Sequence, residues 1–281
     1  MPEIRVVVPE GMDRVLDSLV RSGFAGNKAE LVRSAIIQLF SSLPTLISKD
    51  YDTQTLISPD GRILQLEYAI EAAKRGNLTT GVWYNEGIVL IKRLPVGDTS
   101  LIPLLMPKPY FRPTHYITDN IAIGFSGLTM DARLVLREAL NYVEQHDKEQ
   151  INICHLAEEL TFFVHSHTLK KDIRVLGACF IIGGLDTDNY PRLFGLEPAG
   201  SIFESKAFAI GNGHEEATKI LVKGYTKSMN LEKAIILGMK AALQGKKDPE
   251  NLLIDIIDTQ SKKFRELTLE EKKNYFDKFE S

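Results

Sequence analysis

The sequence contains no apolar run long enough to cross a membrane, and its longer apolar stretches, such as Ala178–Ile182, have the length of a strand. Only two of its 281 residues are cysteines, Cys154 and Cys179, which excludes a disulfide-stapled scaffold and predicts two buried thiols. A net charge of −3 shows no strong excess of one sign, so bulk charge requires neither a nucleic acid nor a membrane partner. The N-terminus lacks the basic leader and apolar core of a signal peptide, which predicts a cytoplasmic protein.

What the sequence does contain is an ordinary globular composition, with 44% hydrophobic and 25% charged residues. The character of the chain changes near residue 48, which predicts a small module at residues 1–47 and a larger domain at residues 48–281. In the larger domain, short strands alternate with paired helical patterns. This arrangement predicts an α+β fold with two sheets covered by helix layers.

The small module is predicted to contain one strand and two helices. Ile4–Val8 is rich in β-branched residues and is stopped by Pro9. The first helical pattern ends at Gly23, and the second opens at Asn27, with Glu30 placed to complete a capping box. A unit of this size cannot bury enough apolar surface alone, so we expect it to pair with a second copy or to dock on another domain.

This order of elements resembles the ribbon-helix-helix family, in which two chains pair their strands and one face of the ribbon enters the DNA major groove. The resemblance implies that Arg5 and Val7 face the bases and that Asn27 and Lys28 form a phosphate clamp at a helix N-terminus. The module has five basic and five acidic residues, however, so it has no net attraction for phosphates. A DNA-binding role and a purely dimerising or docking role both stay open.

Several motifs of the larger domain follow one another in the order typical of one family. Tyr-Asp, a spacer, Ser-Pro-Asp-Gly-Arg and Gln-Leu-Glu-Tyr-Ala run from Tyr51 to Ala69. Ser126-Gly127 precedes Asp131-Ala132-Arg133, and Pro198-Ala199-Gly200 precedes Ala209-Ile210-Gly211-Asn212-Gly213. Residues 51–281 therefore resemble archaeal-like proteasome α-type subunits.

The resemblance implies a four-layer αββα sandwich of the N-terminal-nucleophile hydrolase type. It also implies that a helix at Arg62–Lys74 lies across the cleft that catalytic members of the family leave open. The expected partners are further copies of the chain, in a ring or a dimer, and β-type proteasome subunits. Ring contacts are expected from a part of the chain that we call the opening segment: Tyr51, Asp52, Pro59, Asp60, Gly61, Arg62, Gln65, Glu67 and Tyr68.

The catalytic residues of that family are missing from the sequence. Catalysis there needs a threonine freed at the N-terminus, whose own amine acts as the base, with a lysine and a carboxylate nearby. Under the resemblance, these three positions fall on Asn77, Pro109 and Arg93, and none of these side chains can do that work. Thr79 and Thr80 instead predict the start of a strand.

No cofactor, metal ion, membrane or small-molecule substrate is predicted. His165 and His167 are two residues apart on a predicted helix, so their side chains point in different directions and form no metal pair. The sequence therefore predicts a noncatalytic proteasome α-type subunit homologue. Two alternatives stay open: a DNA-binding transcriptional regulator that uses the α-like body for oligomerisation, and a cryptic threonine hydrolase.

Overall fold

The computed structural model describes residues 7–35, 57–58, 61–94, 114–146, 151–170 and 173–280. The helices are α1 (Glu10–Arg21), α2 (28–35, where the described part stops), α3 (Leu64–Lys74), α4 (Thr129–Gln145), α5 (Ile153–Leu169), α6 (His214–Gly224), α7 (Leu231–Leu243) and α8 (Leu269–Glu280). The strands are β1 (Thr79–Tyr84), β2 (Gly87–Arg93), β3 (Thr114–Tyr116), β4 (Ile121–Gly127), β5 (Ala178–Leu185), β6 (Pro191–Leu196), β7 (Ile202–Glu204), β8 (Ala207–Ile210), β9 (Leu252–Asp258) and β10 (Arg265–Glu266). Among the described residues, no helix is long and apolar enough to span a bilayer.

Two five-stranded antiparallel sheets form the centre of the larger domain. The first has the order β10-β9-β2-β1-β8, and the second has the order β3-β4-β5-β6-β7. Strands β1 and β2 form a tight hairpin around the turn at Asn85 and Glu86, with Tyr84 opposite Gly87 and Thr79 opposite Lys92. Because directly opposed residues of an antiparallel pair share a face, this register decides which side chains enter the space between the sheets.

Clusters of apolar side chains hold four layers together, two of helices and two of sheets. One core cluster joins α6, α7 and α8 to the first sheet, and a second joins α4 and α5 to the second sheet. A third cluster, which includes Ile88, Leu90 and Ile181, lies between the two sheets. Full burial of each such side chain contributes about 1.5–3 kcal/mol, so the interior can hold the sheets face to face. The predicted pair of sheets covered by helix layers is confirmed.

Side-chain caps and glycines set several helix boundaries. The Asn152 side chain accepts hydrogen bonds from the N–H groups of Cys154 and His155 at 2.9 and 3.1 Å and starts α5. Helix α6 starts after Gly213, which has a φ of +83° that only glycine adopts without strain. Residues 211–213 thus form the turn from β8 into α6.

Some predicted elements needed correction. The helix predicted at Arg62–Lys74 begins two residues later, because Arg62 bonds to Ser58 and Glu67 in the preceding turn. The short edge strands β7 and β10 were not predicted from the sequence, since they span three and two residues. The cysteines predicted as buried thiols are free but only partly buried, although burial raises the pKa of Cys179 to about 12.

In the small module, both helices are observed as predicted. The first helix ends in a Schellman motif, in which Gly23 has a φ of +84° and Phe24 N–H donates to Leu19 O at 3.1 Å. The strand predicted at Ile4–Val8 lies largely outside the described residues, and residues 7–9 have no regular secondary structure. The predicted boundary at residues 47 and 48 also lies outside the described ranges.

Candidate functional site at the start of the first strand

The candidate site lies at the start of β1. Asn77, the position at which the resemblance places the nucleophile of catalytic relatives, comes two residues before this strand. Thr79 is fully buried, and its hydroxyl donates to Phe125 O at 3.2 Å. Two residues later, Gly81 lies against the second sheet, since a Cβ placed there would be 3.0 Å from side-chain atoms of Ile181 and Leu193. Alternation along the strand therefore turns Thr79 and Gly81 toward the space between the sheets.

Lys92 is the charged residue that the tertiary structure brings to this point. Its side chain is only 5% exposed, and its ammonium donates to Phe125 O at 2.9 Å and lies 3.8 Å from the centroid of the Phe125 ring. In the described part of the chain, no carboxylate lies within ion-pair distance of Lys92. Burial therefore lowers the pKa of Lys92 to about 8. No sequence motif pointed to Lys92, although the hairpin register alone places it opposite Thr79.

The arrangement at the strand start binds a backbone carbonyl and does not activate a nucleophile. Thr79 and Lys92 donate to the same oxygen, that of Phe125, so neither is directed at the other as base and nucleophile. Leu78, directly before Thr79, is buried as well, so the peptide bond between the two lies inside the fold. A peptide nitrogen has no free lone pair with which to act as a general base.

The positions that the resemblance assigned to catalysis are used for structure where they are described. Arg93 points to the opposite face of the sheet and pairs with Asp248 at 3.3 Å. The carbonyl oxygen of Asn77 is 3.4 Å from the Thr79 hydroxyl, and its backbone contacts Gly211 closely. Pro109 lies outside the described residues.

Helix α3 closes the mouth of the sandwich next to this site. Ser126 Oγ donates to Ala73 O at 3.0 Å, which ties the end of β4 to the last turn of the helix. A Cβ on Gly127 would be 2.9 Å from Ala73 Cα, and a Cβ on Gly177 would be 3.1 Å from Ala72 Cβ. The last turn of α3 therefore packs closely against the end of β4 and the residue before β5, at a distance that only glycine allows.

An ion pair with a buried carboxylate and a largely exposed arginine holds the two segments that carry these glycines. Asp131, at the start of α4, accepts two hydrogen bonds from Arg174 at 2.5 and 2.7 Å. It also accepts the N–H of Gly177 at 2.7 Å, while its own side chain is only 3% exposed. Asp131 belonged to a motif in the sequence, whereas its partner Arg174, 43 residues away, carried no recognisable signal.

Comparison with known proteins agrees with this geometry. The sequence profile of the family described as "Proteasome subunit" matches residues 73–251. The chain belongs to the proteasome subunit family. It is of the α type, because its relatives include the proteasome subunit alpha of Methanosarcina barkeri, with 35% identity over 229 residues, or 79% of this chain and 89% of the relative.

Two further relatives show the same extent of similarity. The proteasome subunit alpha of Methanothermobacter thermautotrophicus is 36% identical over 231 residues, 79% of this chain and 90% of that protein. The corresponding subunit of Sulfurisphaera tokodaii is 31% identical over 232 residues, 80% of this chain and 94% of that protein. The α+β two-sheet architecture described above is therefore that of a proteasome subunit.

Within this proteasome-family domain, the opening segment forms a turn before α3. Gly61 has a φ of +82°, and Ser58 N–H donates to Arg62 O at 2.9 Å across the turn. Arg62 makes two hydrogen bonds to Glu67, at 2.7 and 2.5 Å, and both side chains remain substantially exposed. Tyr68 is 51% exposed beside them.

Part of the opening segment cannot be compared with the predicted ring contacts. Gln65 is partly buried on α3, and Tyr51, Asp52, Pro59 and Asp60 lie outside the described residues. The described members thus present a hydrogen-bonded turn and one exposed aromatic side chain, and their predicted role in ring contacts stays a prediction.

Of the residues predicted to contact DNA, Val7 and Asn27 can be compared with the structure, and Arg5 cannot. Val7 is 97% exposed, and Arg5 lies outside the described residues. The Asn27 side chain accepts the N–H of Glu30 at 2.8 Å, so the predicted N-cap is confirmed. The Glu30 carboxylate accepts the N–H of Gly26, not that of Asn27, so the capping box is shifted by one residue.

Lys28 is directed toward carboxylates in the module. Its ammonium lies 2.7 Å from Asp13 and 2.9 Å from Asp17, both on α1, and these contacts raise its pKa. This pairing joins α1 to α2. It also places two negative charges beside the N-terminus of α2, where the predicted clamp would hold a phosphate.

Within the described ranges, no cluster of three or more histidine, cysteine, aspartate or glutamate side chains could hold a metal ion. His165 and His167 diverge on α5, because His165 Nδ1 lies 3.1 Å from Ala199 O, whereas His167 is buried with its Nδ1 2.9 Å from Phe163 O.

Proposed function

We propose that this chain is a noncatalytic α-type structural subunit, which associates with copies of itself in a ring and with catalytic β-type proteasome subunits. The observation that supports this most directly is helix α3 packed across the mouth of the sandwich at Ala72 and Ala73. The shared hydrogen-bond acceptor of Thr79 and Lys92 adds to it, because those two side chains stabilise β4 and provide no nucleophile.

Electron microscopy and light scattering of the purified full chain, alone and coexpressed with a β-type subunit from one of the similar organisms, test this function. We expect closed rings and a mass many times that of the 31.5 kDa chain. Discrete dimers under all conditions would contradict the ring. Intact mass after treatment with a threonine-directed electrophile tests the hydrolase alternative, and we expect an unlabelled, full-length chain.

The opening segment offers a matched pair of variants for the same measurement. Glu67→Ala removes the partner that holds Arg62 in the turn, and we expect smaller assemblies with an unchanged unfolding temperature. Glu216→Ala removes the carboxylate of an exposed pair with Lys219 on α6, outside the small module, and serves as the control. Equal assembly of both variants would show that the turn takes no part in ring contacts.

For the small module we propose that it adds a self-association contact in the manner of a ribbon-helix-helix dimer. Helix α1 supports this, because none of its residues is buried and its apolar Met12 and Val15 are more than half exposed. The DNA-binding alternative is less well supported, since Lys28 is paired with Asp13 and Asp17. Fluorescence anisotropy with mixed genomic fragments distinguishes the two roles, and we expect no salt-sensitive binding.

A further inference from the structure

A groove on the larger domain, away from the start of β1, has no role in the function proposed above. It has a volume of about 550 Å³ and lies where the end of β1 meets the start of β6 and the turn between β7 and β8. Its lining residues are Trp83, Tyr190, Pro191, Arg192, Leu193, Glu204, Ser205, Lys206 and Tyr225. Three of these side chains are aromatic, which is unusual for a surface formed mainly by strand ends.

The aromatic rings of the groove are held in place. The Trp83 indole N–H donates to Pro191 O at 2.9 Å, and the Trp83 and Tyr190 ring centroids lie 6.3 Å apart with their planes tilted by 43°. The main-chain N–H of Trp83 also donates to Lys206 O at 2.8 Å, which ties β1 to the turn before β8. The rings are therefore preorganised apolar surfaces that need little ordering on binding.

Lys206 lies on these rings. Its ammonium is 3.6 Å from the centroid of Trp83 and 5.2 Å from that of Tyr190, and it donates to the Tyr190 hydroxyl at 3.2 Å. An ammonium over an indole face is stabilised by the ring quadrupole and is excluded from part of its hydration. A cationic ligand is thereby excluded, because the chain's own ammonium already occupies the aromatic surface.

The charge of Arg192 is matched by two carboxylates, whereas that of Lys206 is matched by none among the described residues. Arg192 bonds to Asp186 at 2.9 Å and to Glu204 at 3.2 Å, so both carboxylates are engaged. Across the described ranges, no carboxylate lies within ion-pair distance of Lys206. The groove therefore presents one fixed positive charge between apolar rings.

The rim of the groove offers a peptide side-chain contacts. Strand β7 is the edge strand of its sheet within the described ranges, and its last residue, Glu204, lines the groove. The next main-chain groups are already bonded, since Ser205 N–H donates to Leu193 O and Lys206 O accepts from Trp83 N–H, so an extended segment binds here through its side chains. In such a segment, residues two apart point to the same side, so one carboxylate can be flanked by two apolar side chains on the same face.

We propose that this groove binds an extended acidic segment of a partner protein, with a glutamate or aspartate side chain on Lys206 and an apolar side chain two residues away against the exposed part of the Tyr190 ring. The carboxylate approaches the ammonium from the side that the rings leave open. Because Lys206 covers the Trp83 ring, the indole reports on this contact without carrying it, and Arg192 offsets part of the charge of Glu204.

Trp83 is the only tryptophan of the chain, so its fluorescence reports on this groove directly. The probe is an acetylated and amidated peptide, Leu-Ser-Glu-Ser-Leu, and its control carries Gln in place of Glu. We expect a saturable change in the emission of the full chain with the acidic peptide and at least tenfold weaker binding of the Gln peptide. Because the contact is ionic, binding should weaken as salt rises.

Variants separate a specific contact from a general effect. Lys206→Met should abolish the response and Lys206→Arg should retain it, whereas Lys219→Met, at an exposed lysine paired with Glu216 on α6, should bind as the parent does. Equal unfolding temperatures establish that each variant is folded. The proposal is overturned if the Glu and Gln peptides titrate alike, if Lys206→Met still binds, if inorganic phosphate displaces the peptide with similar affinity, or if no saturable change occurs.

Discussion

The buried charge of Lys92 should lower the free energy of unfolding of the larger domain at neutral pH. Replacing Lys92 by methionine tests this. Its ammonium is almost completely buried, with one carbonyl and one ring as partners and no carboxylate among the described residues. The pKa of Lys92 falls from 10.5 to about 8 on folding. At about 1.4 kcal/mol for each tenfold change in a proton affinity, this difference corresponds to about 3 kcal/mol of unfavourable burial of the charged form.

The substitution also removes a favourable contact. The hydrogen bond from Lys92 to Phe125 O contributes about 1 kcal/mol net, and Thr79 still donates to that oxygen in the variant. Methionine fills a similar volume with an unbranched, flexible side chain. We therefore expect Lys92→Met to raise the free energy of unfolding by about 2 kcal/mol at pH 7, or the unfolding temperature by about 5 °C.

The pH dependence of this gain follows from linkage. Below pH 8 the lysine is charged in both the folded and the unfolded chain, so the full cost of burial is present. Between pH 8 and 10.5 the folded form loses its proton first, and the cost declines as the pH rises. Near pH 10.5 the advantage of the variant should therefore have largely disappeared.

The assay is chemical denaturation of both proteins at pH 7 and at pH 10.5, read as the difference between them, so that ionisation of tyrosines and cysteines common to both cancels. Lys219→Met, an exposed substitution on α6, provides the control and should change little at either pH. A variant that is less stable than the parent at pH 7, or a gain that stays the same at both pH values, would refute the reasoning.

The remaining predictions concern the closure of the sandwich. Asp131→Ala should lower the free energy of unfolding by about 2 kcal/mol in denaturant titrations, because it leaves the buried Gly177 N–H without its acceptor, whereas the exposed Arg174 side chain can turn to water; a loss below about 1 kcal/mol would contradict this. Gly127→Ala should destabilise the domain and speed proteolytic cleavage around α3, since a Cβ at its φ of +110° would lie 2.3 Å from Gly177 O and 2.9 Å from Ala73 Cα. It should not create peptidase activity, and a fluorogenic peptide assay that showed hydrolysis would count against a noncatalytic site.

Local patterns were sufficient for most elements of the fold. The end of α1 at Gly23, the Asn27 cap and the start of β1 at Thr79 were predicted with their observed positions. Such features depend on residues within a few positions of one another, so the sequence carries them directly. The start of α3 was misplaced by two residues, because a turn contact of Arg62 competes with helix formation there.

The site was predicted less completely than the fold. Comparison of motifs correctly indicated an α-type proteasome subunit, and it placed the mouth of the sandwich at the start of β1. The motifs did not indicate Lys92, because this residue lies at none of the positions that the resemblance assigns to catalysis. They also gave no sign of the Lys206 groove, whose residues come from four separate parts of the chain.

What the sequence determined by itself were the elements and the family, because turn residues, caps and hydrophobic periods act over short separations. Only the tertiary structure decided what those elements do to one another. Asp131 and Arg174 meet across 43 residues, and Tyr116 donates its hydroxyl to Asp255 across 139. The burial of Lys92 beside Phe125, like the closure of the mouth by α3, depends on two sheets packing face to face. No local pattern encodes those distances, because the desolvation that changes the pKa of Lys92 exists only once the layers are assembled.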